Sequence, residues 1–111
     1  MTAPRILFFS PYALDTVRTG GARRTRMFYD ILAETFDLYT LLHIRPPVKG
    51  HAEGSDEAIE IRWGGDRFYD RRLLRAWNRA LDQHQPDLVW IEHFYSVPML
   101  TPAARRRGIP I

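Results

Sequence analysis

Two apolar runs, Ile6-Leu7-Phe8-Phe9 and Leu88-Val89-Trp90-Ile91, constrain the fold of this chain more than any other feature. Each is short and continuous. The first stops at Ser10-Pro11, and the second follows Pro86-Asp87. A strand with one wet face alternates apolar and polar residues. A strand that is apolar at every position is covered on both faces, as in a parallel sheet layered between helices.

The intervening segments supply those helices. Met27, Phe28, Ile31 and Leu32 recur at helical spacing opposite Arg23, Arg24, Asp30 and Glu34, which predicts a helix opened by Thr19-Gly20-Gly21 with the four apolar residues inward. Residues 37 to 44 read as a second strand, and residues 45 to 57 as a long loop. Ile59, Ile61 and Trp63 alternate with Glu60 and Arg62, the pattern of an edge strand with one wet face. Residues 66 to 85 read as a second helix, with Tyr69, Leu73, Leu74, Trp77 and Leu81 inward and arginines outward, ended by Pro86. A third helix fits residues 98 to 107, closed by Gly108, and Ile109-Pro110-Ile111 begins a further strand.

This order predicts an α/β fold: a Rossmann-like, doubly wound parallel sheet of strand order 3-2-1-4-5, with the first and fourth strands central. The 111 residues, 45% of them hydrophobic, suffice for one compact core and not for two ordinary domains. A chain ending inside a strand is expected to be the incomplete N-terminal domain of a longer protein, truncated at its C-terminal end, and to self-associate through the uncovered edge.

Several chemistries are excluded or disfavoured. The chain has no cysteine, so disulfides, thiolate metal sites and cysteine nucleophiles are ruled out and a cytoplasmic, reducing setting is expected. No leader-like segment or span of roughly 18 apolar residues is present, which predicts a soluble protein. His43, His51, His84 and His93 are scattered without ligand spacing, so no metal is expected. Neither the P-loop pattern nor the G-x-S-x-G of hydrolases occurs. No D-x-D motif of metal-dependent sugar transferases is present either, and the first strand ends in Phe9-Ser10 rather than in the acids of a phospho-acceptor domain. Arginine supplies all the cations except Lys49, a bias that phosphate recognition and a GC-rich gene would both produce.

In open α/β sheets ligands bind beyond the carboxyl ends of the strands, where the strand order reverses, here between the first and fourth strands. Two segments meet there. In the first, from Ser10 and Tyr12 to Gly20, Gly21 and Arg23, the paired glycines would let a phosphate approach the start of the helix, or they simply make the turn; the G-x-G-x-x-G spacing is absent. The second, Glu92-His93-Phe94-Tyr95-Ser96, sets an acid, an imidazole and a phenol on the rim, where they line a cleft or pack locally.

The segment from Arg5 to Tyr12, then Thr19-Gly20-Gly21-Ala22-Arg23-Arg24 opening a helix, then Pro86 to His93 reading PDLVWIEH, and finally Ala104 to Ile111, together resemble the N-terminal domain of glycosyltransferase family 4. These are retaining enzymes of GT-B fold. The resemblance covers nearly the whole chain. It implies the acceptor-side lobe of a metal-independent enzyme that transfers a sugar from a nucleotide-sugar donor, a substrate rather than a cofactor, to an acceptor. Gly20 and Gly21 would approach the donor diphosphate; Ser10, Tyr12, Arg23, Glu92, His93 and Tyr95 would line the cleft. The family's further histidine, basic phosphate pair and acidic donor-sugar motif would lie beyond Ile111, together with the donor-binding domain, so the chain alone is expected to be inactive. The rival reading is a non-catalytic Rossmann-like binding or interaction module.

Arg67, Arg71, Arg72, Arg75 and Arg79 share one side of the second helix. Asp66, Asp70 and Asp82 dilute this charge and no aromatics are expected among it, so a solvated face is predicted and nucleic acid is not expected as a partner. Peripheral membrane attachment through this helix is the alternative. Arg105, Arg106 and Arg107 complement the dipole at the end of the third helix.

Overall fold

The computed structural model describes residues 3–14, 20–46 and 55–111; Thr19, Lys49, His51 and most of the loop expected over residues 45 to 57 lie outside them. The described residues form β1 (Arg5–Ser10), α1 (Gly20–Thr35), β2 (Asp37–Ile44), β3 (Glu57–Glu60), a 3-10 turn (Gly64–Arg67), α2 (Arg71–His84), β4 (Leu88–Ile91) and α3 (Val97–Arg106). The strands make one sheet in the order β3-β2-β1-β4. Every pair is parallel, with Ile6 opposite both Leu38 and Leu88. The fold is therefore α/β with helices on both faces, as the unbroken apolar runs require.

The period of 2 along β1 sorts its residues between the two layers. Leu7 and Phe9 pack with Leu41, Val89, Trp77 and Leu81 beneath α2 and α3, whereas Ile6 and Phe8 face the other way, against Leu32, Tyr29 and Phe36 of the α1 side. β3 occupies the edge, as its alternation predicts. Beyond β4, the Val89 amide donates to the Pro110 carbonyl at 2.9 Å. The segment 109–111 thus takes the place expected for a fifth strand without forming one. Gly108 closes α3 at φ +69°, a left-handed conformation that glycine adopts without strain.

Three expectations are corrected. Met27 and Ile31 point to solvent, because α1 is rotated to bury Ala22, Thr25 and Leu32 and to half-bury Phe28 and Tyr29. Both stripes have helical spacing; the small Ala22 and Thr25 admit close approach to the sheet, and Tyr29 meets Phe8 edge to face at 5.6 Å. Trp63 is exposed, since β3 ends at Glu60 and only Ile61 of the later residues stays buried.

The third concerns the second helix, which begins at Arg71 rather than at residue 66. The Asp66 carboxylate is engaged by the Arg62 amide in the 3-10 turn, and Asp70, in extended conformation, is the residue that caps α2 by accepting from the Arg72 amide at 2.9 Å. Starting later leaves Tyr69 outside the helix and exposed. Leu73, Trp77 and Leu81 are buried as expected, and Gln85 ends α2 in the left-handed region just before Pro86.

Candidate functional site

The strand order reverses between β1 and β4, so the carboxyl ends of these strands, the start of α1 and the segment after β4 converge on one rim. Ser10, buried at the end of β1, fixes the chain that leaves it: its hydroxyl donates to the Tyr12 carbonyl and accepts from the Tyr12 amide, both at 2.9 Å. The Tyr12 ring is thereby laid over the start of α1. A Cβ on Gly21 would lie 2.6 Å from the Tyr12 hydroxyl, whereas Gly20 borders open space. Neither glycine has positive φ; both are helical, so a left-handed turn is not what calls for them. The dipole of α1 directs its positive end to this point.

Glu92 plays a different part from the other rim residues. It is buried, and its two oxygens accept from Thr25 Oγ1 at 3.0 Å and from Trp90 Nε1 at 3.1 Å. This carboxylate ties α1 to β4. His93 follows it at φ +73°, a conformation that costs a non-glycine residue of order 1 kcal/mol or more. That backbone turn stacks the imidazole on Tyr95 and Phe94, with centroids at 4.2 and 4.6 Å, and sets it edge-on to Tyr12 at 6.0 Å. Burial lowers the His93 pKa first, and the charges of Arg24 and Arg67 lower it further against the pull of Glu92. At neutral pH the ring is uncharged.

Arg67 also belongs to this rim, although it lies 26 positions before His93. Its guanidinium lies 5.8 Å from the Tyr95 ring centre, and its main-chain oxygen accepts from Ser96 Oγ. Among the described residues, Arg67 Nε and His93 Nδ1 are buried polar atoms without a hydrogen-bond partner. Unpaired buried donors and acceptors are uncommon in folded proteins. Of the predicted residues, Tyr12, Gly20, Gly21, His93 and Tyr95 come together; Ser10 and Glu92 support them from below. Arg23 is exposed in the first turn of α1 and has an interaction of its own. The group presents two guanidinium groups, a neutral imidazole and a helix start, a combination suited to an anion. Among the described residues no cluster suits a metal ion.

Sequence reasoning overlooked a buried network at the end of β2. His43 and Asp70 are both almost wholly buried, with Nε2 2.9 Å from Oδ2; Arg72 reaches both Asp70 oxygens and Asp66. A carboxylate only accepts, so Nε2 carries the proton. Burial lowers the His43 pKa from its ordinary 6.5 and outweighs the hydrogen bond and charge of Asp70, whose charge is shared with Arg72. Burial pushes the Asp70 carboxyl up, yet hydrogen bonds from Arg72 and His43 outweigh it and hold it below 3.8. Nothing in the spacing of His43, Asp66, Asp70 and Arg72 announces this; only the meeting of β2 with the start of α2 creates it.

The network makes the fold sensitive to acid. Both groups have folded pKa values below their unfolded ones, so their contribution is complete above the unfolded pKa and is lost as pH falls through the folded one. For His43 the loss sets in below about pH 6.5, and for Asp70 below about pH 3.8. His93, also lowered, adds in the same direction. Urea unfolding measured from pH 7.5 downward is expected to show stability declining below pH 6.5, with a shallower decline in His43→Gln. An unchanged slope in that variant would assign the effect elsewhere.

A cavity of about 390 Å³ lies at the opposite end of the strands, lined by Arg5, Asp37, Tyr39, Asp56 and His84 among others. Tyr39 stacks on His84 at 3.8 Å, and burial together with Glu57 raises its phenol pKa. This is the amino-terminal end of the strands, away from the crevice where α/β sheets bind ligands. Compared with protein-family models, curated proteins and solved structures, the chain matches none. No helix among the described residues is long and apolar enough to cross a membrane.

Proposed function

We propose that this chain is the acceptor-side lobe of a metal-independent, retaining glycosyltransferase of GT-B type, which uses a nucleotide-sugar donor and needs a second lobe for turnover. The observation that carries this reading is the convergence, at the reversal point of the parallel sheet, of the positive end of α1 with Arg24, Arg67 and the unpartnered His93 Nδ1. The positive end of a helix, guanidinium groups and an imidazole are groups that recognise a diphosphate. The engagement of both Glu92 oxygens by Thr25 and Trp90 gives this acid a structural part under the rim and suits a lobe that binds and positions.

The test is calorimetric titration of the protein with a panel of nucleoside-diphosphate sugars, alongside thermal melts and an assay for sugar release. Binding without turnover is expected. Gly21→Ala has to displace the Tyr12 ring and should weaken binding by about 1 to 3 kcal/mol, the scale of leaving a buried polar group unpaired, while the melting temperature changes little. If no donor binds, or if the variant melts much earlier yet binds donor normally, the reading fails. Turnover by the chain alone that His93→Ala abolishes would refute the need for a second lobe.

A further inference from the structure

We propose that the rim carrying Trp63, Phe68, Tyr69, Phe94 and Val97 docks onto an anionic lipid bilayer, with its side chains entering the headgroup layer and Arg62, Arg71 and Arg75 meeting lipid phosphates. This is independent of sugar transfer. The four rings are 70%, 59%, 60% and 69% exposed in that order, far more than their apolar area favours. Phe68, Phe94 and Val97 also lie together around Tyr95. Phe68 meets Tyr95 edge to face at 5.3 Å, Tyr95 meets Phe94 at 4.5 Å, and the Val97 amide donates to the Phe94 carbonyl. Trp63 lies over Gly65 in the same 3-10 turn as Arg67, and Tyr69 shares a groove of about 380 Å³ with Arg71, Leu74, Arg75 and Asn78.

Charge decides the partner. The expected arginine face is divided by tertiary structure, because Arg72 turns to Asp66 and Asp70, and Arg79 pairs with Glu57. Those pairs consume acids of this quarter and leave Arg62, Arg71 and Arg75 without an ion pair among the described residues. An apolar crown edged by uncompensated cations complements a surface that is apolar within and anionic outside, with aromatic rings at the headgroup level and arginine stems reaching to phosphates. The sequence argument against a binding role rested on dilution by Asp66, Asp70 and Asp82 and on the absence of aromatics among the arginines; Tyr69, expected inward, is exposed beside Arg71 and Arg75. Single-stranded nucleic acid would need successive free ring faces for its bases; the centre of this crown, Phe94 and Tyr95, is stacked on His93 and on itself.

The experiment is co-sedimentation with unilamellar vesicles of phosphatidylcholine alone and of phosphatidylcholine with roughly a third phosphatidylglycerol, read together with tryptophan emission. Binding at least about tenfold stronger to the anionic vesicles is expected, weakening with salt. A blue shift in emission should accompany it and vanish in Trp63→Phe. Phe68→Ser combined with Phe94→Ser, and separately Arg71→Glu combined with Arg75→Glu, should each lower binding about tenfold, with far-ultraviolet circular dichroism unchanged because all four residues are exposed. Absence of binding to anionic vesicles, or binding that neither double variant weakens, overturns the proposal. So does tighter binding of a fluorescent oligothymidine that depends on the same arginines, or a dimer in sedimentation equilibrium that the Phe68→Ser, Phe94→Ser variant dissolves.

Discussion

Trp77→Ala is expected to lower the unfolding free energy by about 3 to 5 kcal/mol, which is a large share of the 5 to 15 kcal/mol that a domain has. Trp77 is wholly buried and joins three elements. Its indole meets Phe9 of β1 edge to face at 6.2 Å, packs within α2 among Leu73, Ala80 and Leu81, and donates from Nε1 to the Leu100 carbonyl of α3 at 2.9 Å. Alanine leaves a cavity between the sheet and both helices and removes the indole hydrogen bond that links α2 to α3. Trp77→Phe, which keeps most of the buried area and loses the hydrogen bond, should cost about 1 to 2 kcal/mol. Urea titration followed by far-ultraviolet circular dichroism separates the two, and a loss under about 1 kcal/mol for alanine would contradict a single core spanning β1, α2 and α3.

Asp70→Ala should be the most damaging change to a polar residue, at about 3 kcal/mol or more. This one carboxylate caps α2 at the Arg72 amide, accepts from the buried His43 ring and holds the Arg72 guanidinium. Removing it deprives a buried imidazole of its acceptor and a helix of its cap together. Asp70→Asn retains an oxygen for the cap and loses the charge, so it should cost clearly less. Thermal melts at pH 7 give the comparison. Equal losses for the two variants would show that the charge, rather than the cap, dominates; a negligible loss for alanine would mean that the network contributes nothing net.

The sequence alone determined the layer architecture, because a run such as Ile6 to Phe9 cannot be apolar at every position unless both of its faces are covered. The same holds for the edge position of β3, whose alternating residues need one wet face, and for the ends of α2 and α3, where Pro86 and Gly108 act through local backbone geometry. It also placed Tyr12, Gly20, Gly21 and His93 at one rim, since sheet topology fixes where the ends of β1 and β4 meet. Other outcomes rest on contacts between residues far apart in the chain, to which periodicity is blind. Two stripes of α1 have the same spacing, and the fit of Thr25 against Glu92 and of Tyr29 against Phe8 selects the one that leaves Met27 and Ile31 in water. Two aspartates could cap α2. Asp66 is drawn off by the 3-10 turn and Asp70 is met by His43 from β2, so the helix starts late and Tyr69 turns outward. Arg67 joins His93, and Arg72 leaves the arginine face, for the same reason: a charged side chain goes where its partner lies in space, and only the folded chain brings that partner near.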